Sequence, residues 1–409
     1  MNRFRGTFAV VAVSALALVS AACGSDDTED SATTPTETAG QAPASTEAPD
    51  GGASATAVWT APSNGNSDNW LKWNKSSCTF EDAVEHPDEW VADAEANDGS
   101  LVVGFGAQDT VNEVNISMND SMEAAAGLAG VELAVADYKF PSTSDPITAA
   151  QSLVVRDPAV VVSNNQLEDL LDSVNKIYSS ECIPVVQVVT ASEGTVLFGP
   201  SNSGMGELQG ERLVEFANAQ GWTAENTTLI TTFYPPAGPE VALRASMCAE
   251  LVQKAFPGIT AVEHDTNSTT SLELQNNFTD VLTANPDAAN ILNCTVADLW
   301  ALANAEALKV AGRQTTAAVT GVNGGSAVLD AIAEGDSALV GSVDLGAASW
   351  GDYWIPLAQD IAAGLPVPAE VYAPIIMLPA ELPTRGRTVQ RRSLGLPPAS
   401  GSPAADSSS

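Results

Sequence analysis

Two histidines and five cysteines are the side chains of this 409-residue chain best suited to nucleophilic, acid–base or soft-metal chemistry. His86 and His264 are too few for a histidine-rich metal site or a proton relay. His264, beside Asp265, is the lone histidine of the main body, and a Ser-His-Asp hydrolase would need it to meet an exposed serine. No G-x-S-x-G elbow supplies one. Cys23, Cys78, Cys182, Cys248 and Cys294 include no C-x-x-C pair of the kind that binds zinc or exchanges thiols. The inventory predicts no enzyme, no metal and no cofactor. It also carries 51 acidic against 16 basic side chains, a formal charge of −35, which repels phosphate backbones and excludes nucleic acid as a partner.

Cys23 is set apart by what precedes it. Arg3 and Arg5 lead into an apolar run from Thr7 to Ala22, sixteen residues where a membrane span needs about 20. A charged start, a short apolar stretch and small residues before a cleavage point define a secretory signal, here residues 1–22. Leu18-Val19-Ser20-Ala21-Ala22-Cys23 resembles a bacterial lipobox, in which the cysteine is lipidated and becomes the mature N-terminus. The expectation is a protein anchored by Cys23 to the outer face of the bacterial cell membrane, not one that spans it. Residues 24–57 hold no leucine, isoleucine or aromatic side chain and cannot offset their ordering entropy. Residues 23–57 are therefore read as a disordered tether, with a reach on the order of 30 Å. Residues 381–409, rich in Pro, Ser and Gly after the cluster Arg385, Arg387, Arg391 and Arg392, are read as a disordered tail.

The elements between these ends alternate. Predicted strands at Leu101–Phe105, Val131–Tyr138, Ala159–Val162 and Pro184–Val189 are separated by stretches of helical period. The pattern resumes with strands at Thr228–Thr232, Ile259–Glu263, Ala288–Asn293, Ala317–Gly321 and Ala338–Val343, and a last one near Val371–Met377. Continuous apolar strands joined by helices predict parallel sheets covered on both faces. There are too many strands for one compact sheet, so the fold class is α/β with two doubly wound lobes. Ligands of such sheets sit beyond the carboxyl ends of the strands.

Over about residues 100–379 the chain resembles the ribose-binding family of type I periplasmic substrate-binding proteins, the soluble receptors of ABC importers. Leu101-Val-Val-Gly-Phe-Gly-Ala-Gln-Asp109 is similar to the first strand and its ligand-facing loop. Ala159-Val-Val-Val-Ser-Asn164, Ile183-Pro-Val-Val and Gly199-Pro-Ser-Asn202 are similar to the third strand, the fourth strand and the crossing into the second lobe. Asn285-Pro-Asp287, Ala307-Leu-Lys-Val-Ala-Gly312, Thr320-Gly-Val-Asn-Gly324 and Ala333-Glu-Gly-Asp-Ser-Ala-Leu-Val-Gly-Ser-Val-Asp344 follow in the family's order. The resemblance implies a three-segment hinge, with residues 100–199 and 345–371 in the first lobe and 200–344 and 372–380 in the second. Residues 58–99, carrying Trp59, Trp70, Trp73 and Trp90, are expected to pack on the first lobe.

Carried over by position, the ligand residues implied are Gln108, Asp109 and Asn164 on one lobe and Arg244, Asp298, Asn323 and Asp344 on the other. Their carboxylates, amides and planar guanidinium suit a polyhydroxyl ligand. The first loop, Gln108-Asp-Thr-Val-Asn112, lacks the aromatic residues the family often stacks on a sugar. Tyr234, Trp350 or Phe140 is left to supply a ring, although Trp350 and Trp354, four apart on a helix, also suit core packing. Four cysteines beyond the anchor allow three disulfide pairings. A bridge between lobes would block the hinge, which favours Cys248–Cys294 and Cys78–Cys182. The function implied is a monomeric receptor that closes on a sugar or polyol and delivers it to an ABC permease. The alternatives are a sensor serving a membrane kinase or chemoreceptor, and a receptor for an amine or nucleoside.

Overall fold

The computed structural model describes residues 58–59, 67–108, 113–139, 142 and 144–383. The signal peptide, Cys23, the tether, Asp109, Phe140, the Arg385–Arg392 cluster and the tail from 384 onward lie outside the described residues.

Among the described residues the first elements are β1 (Val58–Trp59) and the antiparallel hairpin β2 (Trp70–Asn74) and β3 (Thr79–Asp82). The first lobe then runs β4 (Val102–Gln108), α1 (Glu113–Ala129), β5 (Glu132–Tyr138), α2 (Asp145–Val154), β6 (Val160–Ser163), α3 (Glu168–Ser180), β7 (Val185–Val188) and β8 (Val196–Gly199). The second lobe continues with α4 (Asn202–Gln220), β9 (Thr227–Phe233), α5 (Gly238–Ala255), β10 (Thr260–Asp265), α6 (Ser271–Ala284), β11 (Asn290–Cys294), α7 (Asp298–Val310), β12 (Ala317–Asn323), α8 (Ser326–Glu334) and β13 (Leu339–Asp344). The chain returns through α9 (Gly351–Ala363), β14 (Val367–Pro368) and β15 (Glu370–Tyr372), and ends with β16 (Ile375–Leu378).

Two sheets result. The first has the order β15-β8-β7-β6-β4-β5 and is parallel throughout. The second has the order β1-β16-β13-β12-β11-β9-β10, with β16 antiparallel to β13 and β1 antiparallel to β16. In both, the first α/β strand lies inside the second, so the winding reverses between β4 and β6 and between β9 and β11. A crevice opens at such switch points. The Val-rich strands β6 and β7 are buried at every position, as a strand covered on both faces must be.

The predicted last strand is corrected. Val371–Met377 is two strands in two sheets, β15 in the first and β16 in the second, broken at Ala373–Pro374. Proline has no amide to give a ladder, so the apolar run changes partners there. The strand β8, which follows β7 with no helix between them, and the hairpin β2–β3, which lies before the alternating pattern begins, escaped the periodicity argument.

Trp70, Trp73 and Trp90 are buried in one core with the first-lobe residues Phe105, Phe198 and Trp354. Trp70 stacks on His86 at 4.7 Å, and the Trp90 indole donates to Asp360 of α9 at 2.8 Å. Disulfides join Cys78 to Cys182, tying the hairpin to the end of α3, and Cys248 to Cys294, tying α5 to β11. In the second lobe, α4 lies unusually close to α5. A Cβ on Gly206 would sit 2.7 Å from the Met247 Cβ and 2.8 Å from the Leu243 carbonyl. That approach sets the height at which α5 presents Arg244.

Candidate functional site

A cavity of ≈150 Å³ opens between the lobes, at the carboxyl ends of strands from both sheets. On the first lobe it is lined by Gln108 at the end of β4, Asn115 and Met118 on α1, and Gln166 beyond β6. Gln108 donates from Nε2 to the Asn164 carbonyl at 3.0 Å, and its Oε1 accepts from Asn115 Nδ2 at 3.3 Å. Asn164 does not line the cavity. It is fully buried, and its Oδ1 accepts from Gln166 Nε2 at 3.1 Å. It therefore orients two amides that face the cavity instead of facing it itself.

On the second lobe, Tyr234 follows β9, Arg244 projects from α5, Trp300 from α7, and Asn323 ends β12. Arg244 Nε donates to Asn202 Oδ1 at 2.8 Å and Nη1 to the Val296 carbonyl at 3.3 Å. No ion pair to it exists among the described residues. Loss of water lowers its pKa to about 10. Asn202 opens α4 just beyond the first crossing and also donates to the Val189 carbonyl at 3.3 Å, so the hinge holds the guanidinium in place. Trp350 lines the cavity yet is wholly buried. Its indole donates to the Leu345 carbonyl at 2.9 Å, and its ring meets Phe198 and Trp354 edge-on.

Asp298 and Asp344 are turned away from the cavity. Asp298 opens α7, and its carboxylate accepts from the Ser342 hydroxyl at 2.6 Å and the Gly325 amide at 2.8 Å. Burial raises its pKa to about 7 against the pull of those two donors. Asp344 accepts from the Gly346 amide at 2.9 Å, and burial raises its pKa too. Both acids brace the loops after β12 and β13.

Asn115, Gln166 and Trp300 were missed from sequence. Asn115 and Trp300 sit in the first turns of α1 and α7, which follow strands that end at the cleft, and that position was the available signal. Val189 and Asn323 also line the cavity with φ of 68° and 131°, conformations that cost a side-chain-bearing residue about 1–3 kcal/mol. Strain of this kind gathers where a ligand clamp must be held in shape.

The lobes also touch at the rim. Glu113, which opens α1, accepts from the Ser326 amide at 2.7 Å and from the Ser326 hydroxyl at the start of α8. The Glu168 carboxylate, opening α3, occupies the space that a Cβ on Gly238 at the start of α5 would need. Two first-lobe carboxylates thus face two second-lobe helix N-termini, where the helix dipole favours negative charge.

Two lobes of like winding, joined by crossings after β8, β13 and β15, and a cleft cavity define a type I binding-protein architecture. Residues 103–366 match the family described as a periplasmic binding protein domain, and the chain belongs to that family. It is similar in structure to an ABC transporter solute binding protein of Mycobacterium smegmatis with bound glycerol, at 26% identity and a TM-score of 0.58, over 68% of this chain and 94% of that one. An ABC transporter solute binding protein of Agrobacterium vitis with bound allitol gives 19% identity and a TM-score of 0.60, over 69% and 96%. One of Bacillus halodurans with bound myo-inositol gives 17% and 0.56, over 69% and 95%; these last two likenesses bear on the fold. No curated protein matches the chain in sequence.

Proposed function

We propose that this chain is the lipid-anchored, extracytoplasmic receptor of an ABC importer and that it closes on a small sugar or polyol. The observation that carries the reading is the cavity itself: amides from one lobe face a guanidinium and an amide from the other across two switch points. A ligand bonded to both sides favours the closed form by the difference between its affinities for the closed and open states. The permease would then recognise closure. A cavity of ≈150 Å³ is about the size that holds one benzene ring, which supports a monosaccharide or a shorter polyol over an oligosaccharide. The glycerol, allitol and myo-inositol of the similar structures agree with that size class. Among the described lining residues no nucleophile stands beside a base, which supports binding without catalysis.

The test is thermal melting of residues 58–384 against three- to six-carbon polyols, monosaccharides, nucleosides and amines. A ligand at about 100 times its Kd should add about 2.7 kcal/mol of apparent stability. Asn323→Ala should remove the shift. A response confined to nucleosides or amines would keep the fold and overturn the carbohydrate assignment. The anchor is tested separately: Cys23→Ser should release the protein from the membrane fraction, and unchanged retention would overturn lipidation at that residue.

A further inference from the structure

We infer that the cavity selects a small polyhydroxylated carboxylate over the neutral polyol of the same length, with Arg244 as the seat of the carboxylate group. The inference rests on the receptor reading above and narrows its ligand class.

Charge is the first ground. Arg244 is the single charged side chain among the described lining residues, and no Asp or Glu accompanies it. Asp298 and Asp344, which could have balanced it, are bonded to Ser342, Gly325 and Gly346. A buried ion left without a counter-charge is strongly unfavourable, and the usual remedy is a partner that brings the opposite sign.

The second ground is a contrast within the same lobe. Arg212 is also buried, but it is saturated: Nη1 and Nη2 donate to the carbonyls of Val340, Pro379, Ala380 and Glu381, and Nε lies 3.6 Å from Glu215. It holds the C-terminal segment in place. Arg244 spends Nε and Nη1 on Asn202 and Val296, and its Nη2 bonds to no described residue while the side chain borders the cavity. One guanidinium is a closed structural staple, and the other is left open where a ligand enters.

Donor–acceptor balance is the third. Trp300 Nε1 is a buried donor without a partner among the described residues, and Tyr234 brings a phenol, neutral at pH 7, that can donate. The acceptors are amide oxygens, and that of Gln108 already takes Asn115. Each hydroxyl of a neutral polyol needs an acceptor for its proton, which carboxylates normally provide. A ligand carboxylate brings acceptors only, and its planar oxygens suit a guanidinium edge.

The experiment titrates the mature protein calorimetrically at pH 7 with matched pairs: glycerol and glycerate, erythritol and erythronate, ribitol and ribonate. A charge-assisted hydrogen bond in place of a neutral one predicts that at least one acid binds about tenfold or more tightly than its alcohol. Arg244→Gln should abolish that preference, and Arg156→Gln, which removes an exposed arginine outside the cavity lining, should preserve it. Because Arg244→Gln can fail to fold, the unaltered protein is also titrated with the amide of the preferred acid, a neutral probe of the same shape. The amide should bind no better than the alcohol. Alcohols binding as well as or better than acids, or an amide matching its acid, would overturn the inference and leave the receptor reading intact. Binding of neither acids nor alcohols would overturn both.

Discussion

Asp298 illustrates what a residue does when its neighbours, not its position, decide its role. Its place at the start of a helix is legible in the sequence; the Ser342 hydroxyl that claims its carboxylate, 44 residues further on, is not. The same distance effect hid Asn164 beneath Gln108, 56 residues earlier, while Gln166, two residues on, takes its side chain locally. Gln108, Arg244, Asn323, Tyr234 and Trp350 border the cavity because they stand at strand ends or in the helices and loops that follow; periodicity locates those elements, and the family resemblance picks out the residues. Asp298 also makes a pH prediction. Its folded-state pKa, about 7, lies above the ordinary carboxylate value, so the folded state keeps a proton that the unfolded chain releases. That contribution is full at acid pH and is lost as pH rises through about 7. Urea midpoints between pH 5 and pH 8 should therefore fall more steeply for the wild type than for Asp298→Asn. Asp344, whose pKa burial also raises, remains in the variant and leaves it part of the slope. Parallel curves would refute the assignment.

At the scale of elements, strands and helices were legible wherever a run was long enough to show its period. β8 was not, because Val196–Gly199 follows β7 after a short loop with no helical stretch to mark it off, and the apolar stretch around Ala373–Pro374 concealed a change of sheet. The hairpin β2–β3 was hidden for another reason: its tryptophans read as bulk apolar mass, and its fixing point is a disulfide to α3. Closing a loop of separation 104 removes unfolded-state entropy worth about 4.7 kcal/mol in the chain-entropy account. Cys78→Ser with Cys182→Ser should therefore lower the denaturant midpoint markedly. Amide exchange should rise first in residues 67–83. The cavity lies elsewhere, so ligand affinity should hold, and a double variant with lost binding but unchanged stability would contradict this account.

For the whole molecule, the rim contacts set how readily the lobes close before any ligand arrives. A carboxylate at a helix N-terminus contributes about 0.3–1 kcal/mol, so Glu113→Gln and Glu168→Gln should each weaken ligand binding about two- to fivefold and enlarge the ligand-free radius of gyration in solution scattering. Because salt screens such charges, raising ionic strength should shrink the difference between wild type and variants. A radius unchanged in both variants would show that the rim does not govern closure. The overall plan, two lobes and a hinge, was readable from the order of strands; the direction of each cleft side chain required its tertiary neighbours. One further consequence follows from the two residues of β1. By pairing with Ile375 and Ile376 they cover part of the free edge of β16, the kind of bare ladder through which sheets join end to end. A shortened protein beginning at residue 67 should remain folded yet self-associate at rising concentration in sedimentation, whereas the protein from residue 58 stays monomeric. The strand β1 would then serve as a guard against polymerisation.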